Sequence, residues 1–423
     1  MATFRRAQVE TLASRLFEPP GRLVAIFGPR QSGKTTAARQ ALETVPHEHR
    51  FLGIDQPETI EMGPPPRRSR LVGDLPEVAS SRARRDIEWL IEAWSDSRRR
   101  AWDSSRGFVL VLDEIQRIEG WSDAVKGLWD ADRASGCPLH VVIMGSAPLL
   151  MQSGLNESLL GRFEPIRFTH WSYSEMADAF GYRLDQYIFF GGYPGATPYI
   201  HDPQRWVTYV KEALIEPNLE RDVLSMARVD KPALLRRLFE LGALFSGQVL
   251  SYNKMLGQLQ DAGNATTLAR YLKLLSDAGL LTGLDKHTTR HVSARASTPK
   301  LNVLNTALMA AATGYSFDEA RADRSLWGRM VESAVGAHIV NTASPTTAVK
   351  YWREAPYEVD FVLSRGPHTV GIEVKSGTGP ADLRGLTEFE RRFGTRRNIV
   401  VGGTGVPLAE FLSHPADHWI DGA

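Results

Sequence analysis

One stretch constrains the fold more than any other. Arg22-Leu-Val-Ala-Ile-Phe27 reads as a buried strand and runs directly into Gly28-Pro29-Arg30-Gln31-Ser32-Gly33-Lys34-Thr35. The second part fits G-x-x-x-x-G-K-[ST] and stands between a strand and a helix, the context that a phosphate-cradling loop requires. Its glycines let successive backbone N–H groups converge on phosphate oxygens. The next helix adds the positive end of its dipole. Lys34 is expected to reach the β- and γ-phosphates, and the Thr35 hydroxyl to ligate Mg²⁺. The expected nucleotide-binding set is Gly28, Pro29, Arg30, Gln31, Ser32, Gly33, Lys34, Thr35 and Thr36, with ATP and Mg²⁺ as cofactors.

Phe108-Val-Leu-Val-Leu-Asp113-Glu114 supplies a partner for this loop. An apolar strand crosses the core and delivers two carboxylates at its C-terminal end, where ligands bind in open α/β sheets. Asp113 is expected to hold the Mg²⁺ through water, and Glu114 to act as general base. A third strand, His140-Val-Val-Ile-Met-Gly145, ends at Ser146. If it lies beside the Asp113 strand, Ser146 reaches the attacking water or the γ-phosphate. Arg162, in Gly161-Arg162-Phe163, is a candidate arginine finger for a neighbouring subunit; the alternative is a surface arginine near a helix end. Strands alternating with helical patterns indicate an α/β sheet covered on both faces.

Together these motifs resemble a known family. G-P-R-Q-S-G-K-T-T, Leu112-Asp-Glu-Ile-Gln116, Gly145-Ser-Ala-Pro-Leu-Leu150 and Glu157-Ser-Leu-Leu-Gly-Arg162 look like the AAA+-type P-loop ATPases of bacteria and archaea, in the subgroup with a C-terminal domain of unknown function. Gly191-Gly192-Tyr193-Pro194 and Glu220-Arg221-Asp222-Val223 also resemble motifs of that subgroup, without chemistry that can be assigned to them. The resemblance implies an ASCE-type sheet. Ser146 departs from it, because many AAA+ proteins carry Asn there.

Composition matters next. Lys+Arg number 50 against 49 Asp+Glu, a net charge of +1, which excludes a wholly basic nucleic-acid coat and an acidic disordered tail. The charge is uneven: residues 226–300 hold 11 basic and 5 acidic residues. There a helix, a short helix Tyr252–Leu259, a helix over 264–278 and a basic extended stretch Leu281–Lys300 follow in the order of a winged helix. Leu268, Tyr271, Leu272 and Leu275 form its apolar stripe, and Lys286, Arg290, Arg295 and Lys300 a basic wing. DNA is the expected partner; packing or protein contact is the alternative. His287 and His291, in that extended segment, are expected to be solvated. A lone Cys137 is expected as a core thiol, and no apolar run approaches the roughly 20 residues that cross a bilayer. No membrane partner is expected, and the location expected is cytoplasmic.

Tyr357-Glu358-Val-Asp360-Phe and Ile372-Glu373-Val-Lys375 read as neighbouring strands. Alternation puts Glu358 and Asp360 on one face, with Val359 and Phe361 on the other, and groups Glu373 with Lys375. Asp360, Glu373 and Lys375 resemble the PD-(D/E)XK nuclease core. Glu332, on a helical face with Val335, Gly336 and Ile339, is a possible further member. In that chemistry Glu332, Asp360 and Glu373 would form a second metal site, and Lys375 would orient water or stabilise charge. The alternative is an Asp360–Lys375 ion pair with Glu373 as scaffold.

The expected organisation is an AAA+-like core over residues 1–172, a helical lid or linker over 173–230, a winged helix over 231–300 and a restriction-endonuclease-like α/β domain over 301–423. The expected activity is Mg²⁺-dependent ATP hydrolysis coupled to DNA or a protein partner. A finger acting in trans would require a homo-oligomer. The alternatives are an ATP-regulated nuclease and a non-hydrolysing nucleotide switch or scaffold.

Overall fold

The computed structural model describes residues 4–55, 85–146, 155, 158–224, 229–259, 263–288, 298–377 and 382–422. Arg290, His291 and Arg295 lie outside these, as do residues 147–150 and 157 of the two motifs that follow β4. The chain divides into two compact units. One comprises Arg5–Phe27 and Gly33–Phe168; the other comprises Met1–Phe4, Gly28–Ser32 and Thr169–Ala423.

The first unit is built on five strands: β1 (Leu23–Phe27), β2 (Glu48–Gly53), β3 (Phe108–Asp113), β4 (Leu139–Gly145) and β5 (Phe163–Arg167). All pair in parallel, in the order β2-β3-β4-β1-β5. Every residue of β1, β3 and β4 is buried, as strands covered on both faces require. Alternation divides them between two cores. Leu23, Ala25, Phe27, Leu110 and Ile143 pack with Leu90 and Trp94 of helix α3 (Ile87–Asp103) and Val125 of α4 (Trp121–Ser135). Val24, Ile26, Val111 and Met144 pack with Leu12 and Leu16 of α1 (Ala7–Phe17) and Ala38 of α2 (Lys34–Leu42). Cys137 is a buried free thiol, and burial pushes its pKa up.

The second unit is mainly helical from Tyr173 to Leu224, with two successive π-helical segments, Tyr209–Ile215 and Asn218–Leu224. Helices Pro232–Leu244, Tyr252–Gln258 and Ala265–Asp277 follow. After them β6 (Leu281–Leu284) and β7 (Lys300–Val303) pair antiparallel. The predicted apolar stripe Leu268, Tyr271, Leu272, Leu275 is buried. The long helix Arg324–Thr342 then precedes β8 (Ala348–Glu354), β9 (Tyr357–Arg365) and β10 (His368–Lys375). These three pair antiparallel, and β11 (Arg397–Gly402) adds parallel to β10 after helix Arg384–Phe393.

Three expectations are corrected here. Register between β8 and β9 shifts between Lys350 and Trp352, so Asp360 and Phe361 both oppose Tyr351. This bulge reverses the parity of β9. Val359 therefore packs with Trp352, Val362 and Phe389, whereas Phe361 packs on the opposite core with Ile372, so the two do not share a face. His287 is half-buried rather than solvated. Its ring meets Phe389 and Phe393 edge-on, and burial lowers its pKa to about 4. Lys300 is not a solvent-facing wing residue: its side chain is 0% exposed.

Candidate active site

The loop between β1 and α2 takes its shape from two backbone positions. Gly33 has φ 86° and Gln31 φ 59°. Gly33 tolerates this freely; Gln31 does so at a steric cost typical of functional loops. Gly28, Pro29 and Ser32 are buried, Arg30 and Gly33 partly so, and Gln31 is exposed. The Ser32 hydroxyl donates to the Pro29 carbonyl at 2.8 Å. Within the second unit, Gln31 Nε2 donates to Tyr209 Oη at 2.6 Å, and Trp171 Nε1 to the Ser32 carbonyl at 3.3 Å.

Lys34 opens α2 and is buried; Thr35 is partly buried and Thr36 is exposed. The Thr35 hydroxyl donates to Asp113 Oδ2 at 2.9 Å, joining residues 78 positions apart in sequence. Asp113 is buried at the end of β3. Burial pushes its carboxyl above the ordinary range; the Thr35 hydroxyl opposes this, Glu114 adds to it, and Lys34 opposes it.

The strand order explains the next contact. Since β4 lies between β3 and β1, Ser146 leaves the sheet beside Glu114. The Ser146 hydroxyl donates to Glu114 Oε2 at 2.9 Å, and Gln116 Nε2 donates to the same oxygen at 2.6 Å. Glu114 itself has φ 59°, a left-handed conformation uncommon outside glycine. Gln116 stood in the sequence motif without a role, and its place two residues after Glu114 on a tight turn is what brings it in.

Arg162 lies in the same unit, but its guanidinium is held in cis. Nε and Nη2 donate to Asp130 Oδ1 and Oδ2 at 2.8 and 3.0 Å. Asp130, in the middle of α4, carries no sequence signal that singles it out.

The C-terminal carboxylates also converge, around an unexpected member. Lys300 Nζ lies 2.5 Å from Glu332 Oε1 and 3.4 Å from Asp360 Oδ1. Asp360 Oδ2 accepts from the Val374 amide at 2.8 Å, and Lys375 Nζ donates to Glu373 Oε1 at 2.7 Å. Burial pushes Glu332 and Glu373 up to about 7; Lys300 opposes this at Glu332, and Lys375 at Glu373. Burial pulls Lys300 down, but Asp360 and Glu332 outweigh it and hold the ammonium above its ordinary range.

A family model described as an AAA domain matches residues 20–177. Two models described as domains of unknown function match residues 181–319 (DUF8612) and 327–409 (DUF4143). No curated protein matches. Among solved structures, the Walker-type ATPase of Pyrococcus abyssi is 13% identical, with a TM-score of 0.47 over 73% of this chain and 95% of its own. The Aeropyrum pernix ORC1 protein in complex with DNA is 13% identical, with a TM-score of 0.30 over 76% of this chain and 95% of its own. The Thermotoga maritima RuvB Holliday junction branch migration motor is 17% identical, with a TM-score of 0.29 over 66% of this chain and 89% of its own. All three scores fall below 0.5, so the assignment rests on the matched model together with the site itself. No helix among the described residues is long and apolar enough to cross a membrane. With its phosphate loop, its parallel sheet and its paired Thr35 and Asp113, the segment 20–177 matches the AAA domain model and has the build of a P-loop nucleotide-binding domain.

Proposed function

We propose that the chain is a Mg²⁺-dependent ATPase whose turnover is coupled to DNA or to a protein partner through its C-terminal half. The observation that carries this reading is the Thr35–Asp113 hydrogen bond, flanked by Ser146 on Glu114. Mg²⁺ takes one or two protein oxygens together with phosphate and water. Thr35 Oγ1 and Asp113 Oδ2, 2.9 Å apart, fit that demand. Held there, the ion would neutralise charge on the β- and γ-phosphates. Lys34 draws the γ-phosphate and stabilises its developing charge. Glu114 takes a proton from the attacking water, the resulting hydroxide bonds to the γ-phosphorus, and the bond to the bridging oxygen breaks, releasing ADP. Ser146 and Gln116 hold the Glu114 carboxylate in place.

The helical order ending in an antiparallel β6–β7 pair supports the winged-helix reading of the middle segment. Helix, three antiparallel strands, helix and a parallel strand support the nuclease-like reading of the C-terminal fold. The test of the ATPase is a pair of variants. Lys34→Ala loses nucleotide binding. Glu114→Gln retains ATP affinity while turnover falls on the order of 10²–10⁴-fold. A Glu114→Gln protein that hydrolyses ATP at the wild-type rate rules out Glu114 as the base.

A further inference from the structure

The carboxylates Glu332, Asp360 and Glu373 have the residue types of a divalent-metal site, but their arrangement does not fit one. Each already faces a positive partner on one oxygen, although Glu373 Oε2 is buried without a hydrogen bond. Lys300 Nζ touches Glu332 Oε1 and lies near Asp360 Oδ1, and it donates to the Asp360 carbonyl at 3.1 Å. The other Asp360 oxygen accepts the Val374 amide, and Glu373 accepts from Lys375. Among the described residues, no group of three His, Cys, Asp or Glu side chains is gathered closely enough to hold a metal.

The source of the intruding cation is informative. Lys300 begins β7, outside the two strands and the helix that carry the carboxylates. Its side chain is fully buried and its ammonium lies 4.7 Å from the centroid of the Phe361 ring. The β9 bulge, which places Asp360 and Phe361 opposite Tyr351 alone, delivers both to it. A divalent ion entering here would meet a buried like charge. Displacing that ammonium would leave it desolvated and unpaired, which is far costlier than leaving it in place.

We infer that the Lys300 ammonium is the resident cation of this cluster, filling with a tethered single charge the place where a nuclease-like site would hold a metal. The cluster is then an internal ionic joint. It ties the β6–β7 pair to helix Arg324–Thr342 and to β9, and it does not cleave phosphodiesters. This goes beyond the ATPase reading and does not depend on it.

The test uses the full, nucleotide-free chain. Mn²⁺ is titrated into wild type and Asp360→Asn and followed by electron paramagnetic resonance. The two titrations are expected to coincide through millimolar Mn²⁺. A wild-type site lost in Asp360→Asn overturns the inference, as does Mn²⁺-dependent nicking of supercoiled DNA that Asp360→Asn abolishes. Separately, Lys300→Met is expected to melt several degrees lower, and Glu332→Gln in the same chain to recover part of that loss. Melting of Lys300→Met at the wild-type temperature overturns the joint. Should that variant fail to fold, the Mn²⁺ titration decides alone.

Discussion

At the scale of single residues, two hydrogen bonds to Glu114 Oε2 set the orientation of the proposed base, and the left-handed backbone at Glu114 is held by the turn into Ile115–Arg117. Removing one of them leaves the carboxylate held by the other but less tightly oriented. Ser146→Ala is therefore expected to lower turnover by roughly tenfold, the worth of one charge-assisted hydrogen bond, with ATP affinity unchanged in a nucleotide titration. Equal losses of affinity and turnover would place Ser146 in ground-state binding instead. Arg162 poses a different question. Its bidentate pair with Asp130 is half-buried at the surface, and such pairs are weak and salt-screened, so exchange for a phosphate on a second copy is open to it. If Arg162 acts in trans, Arg162→Ala abolishes the rise of specific activity with protein concentration and leaves the melting temperature unchanged. Identical activity-versus-concentration curves for variant and wild type exclude the finger.

At the scale of elements, the legible ones were those whose residues do a single job. β1, β3 and β4 are short apolar runs because both their faces are buried, and the carboxylates and Ser146 at their ends followed from that. β5 was not legible, because an edge strand reading Phe-Glu-Pro-Ile-Arg is buried at only one position and carries a proline. Helix α3 runs on to Asp103 through the run Arg98-Arg99-Arg100. In place, Arg99 and Arg100 pair with Asp96 on the same helix, and Arg98 reaches Asp132. The Asp360 neighbourhood was legible in residue type but not in face, since alternation has no signal for a bulge. Lys300 was hidden by its basic neighbours; Leu301, Val303 and Leu304 just after it were the hint that it enters a core.

Gly191-Gly192-Tyr193-Pro194, which offered no chemistry, has a packing explanation. A Cβ on Gly192 would stand 2.1 Å from the Trp171 carbonyl oxygen, and the Gly192 amide donates to Asn305 Oδ1. Backbone cannot yield as a side chain does. Gly192→Ala is expected to destabilise the second unit by about 3 kcal/mol, read as a drop in its thermal transition temperature. An unshifted transition would mean that the Trp171 backbone moves freely.

At the scale of the whole molecule, the net charge of +1 conceals a basic segment, and burial decides which of its charges a polyanion can meet. Lys300 is withdrawn into an ionic joint, so the excess over residues 226–300 overstates what faces solvent. Arg270 and Lys273, by contrast, lie on the exposed side of Ala265–Asp277, opposite its buried Leu268, Tyr271, Leu272 and Leu275. That is where a second helix of a winged module presents itself to DNA. Counterion release makes the proposal quantitative, because each phosphate that the protein no longer neutralises reduces the slope of log affinity against log salt by about 1. Duplex binding should therefore weaken steeply with salt in wild type, and Arg270→Ala with Lys273→Ala should flatten that slope by about 2. Lys300→Met should leave it unchanged, since a buried ammonium releases no counterion. If duplex DNA also raises ATP turnover in wild type but not in the Arg270/Lys273 variant, the basic helix is the route by which DNA reaches the ATPase. Salt-independent binding, or turnover indifferent to DNA at every salt concentration, would instead assign the exposed face to a protein partner.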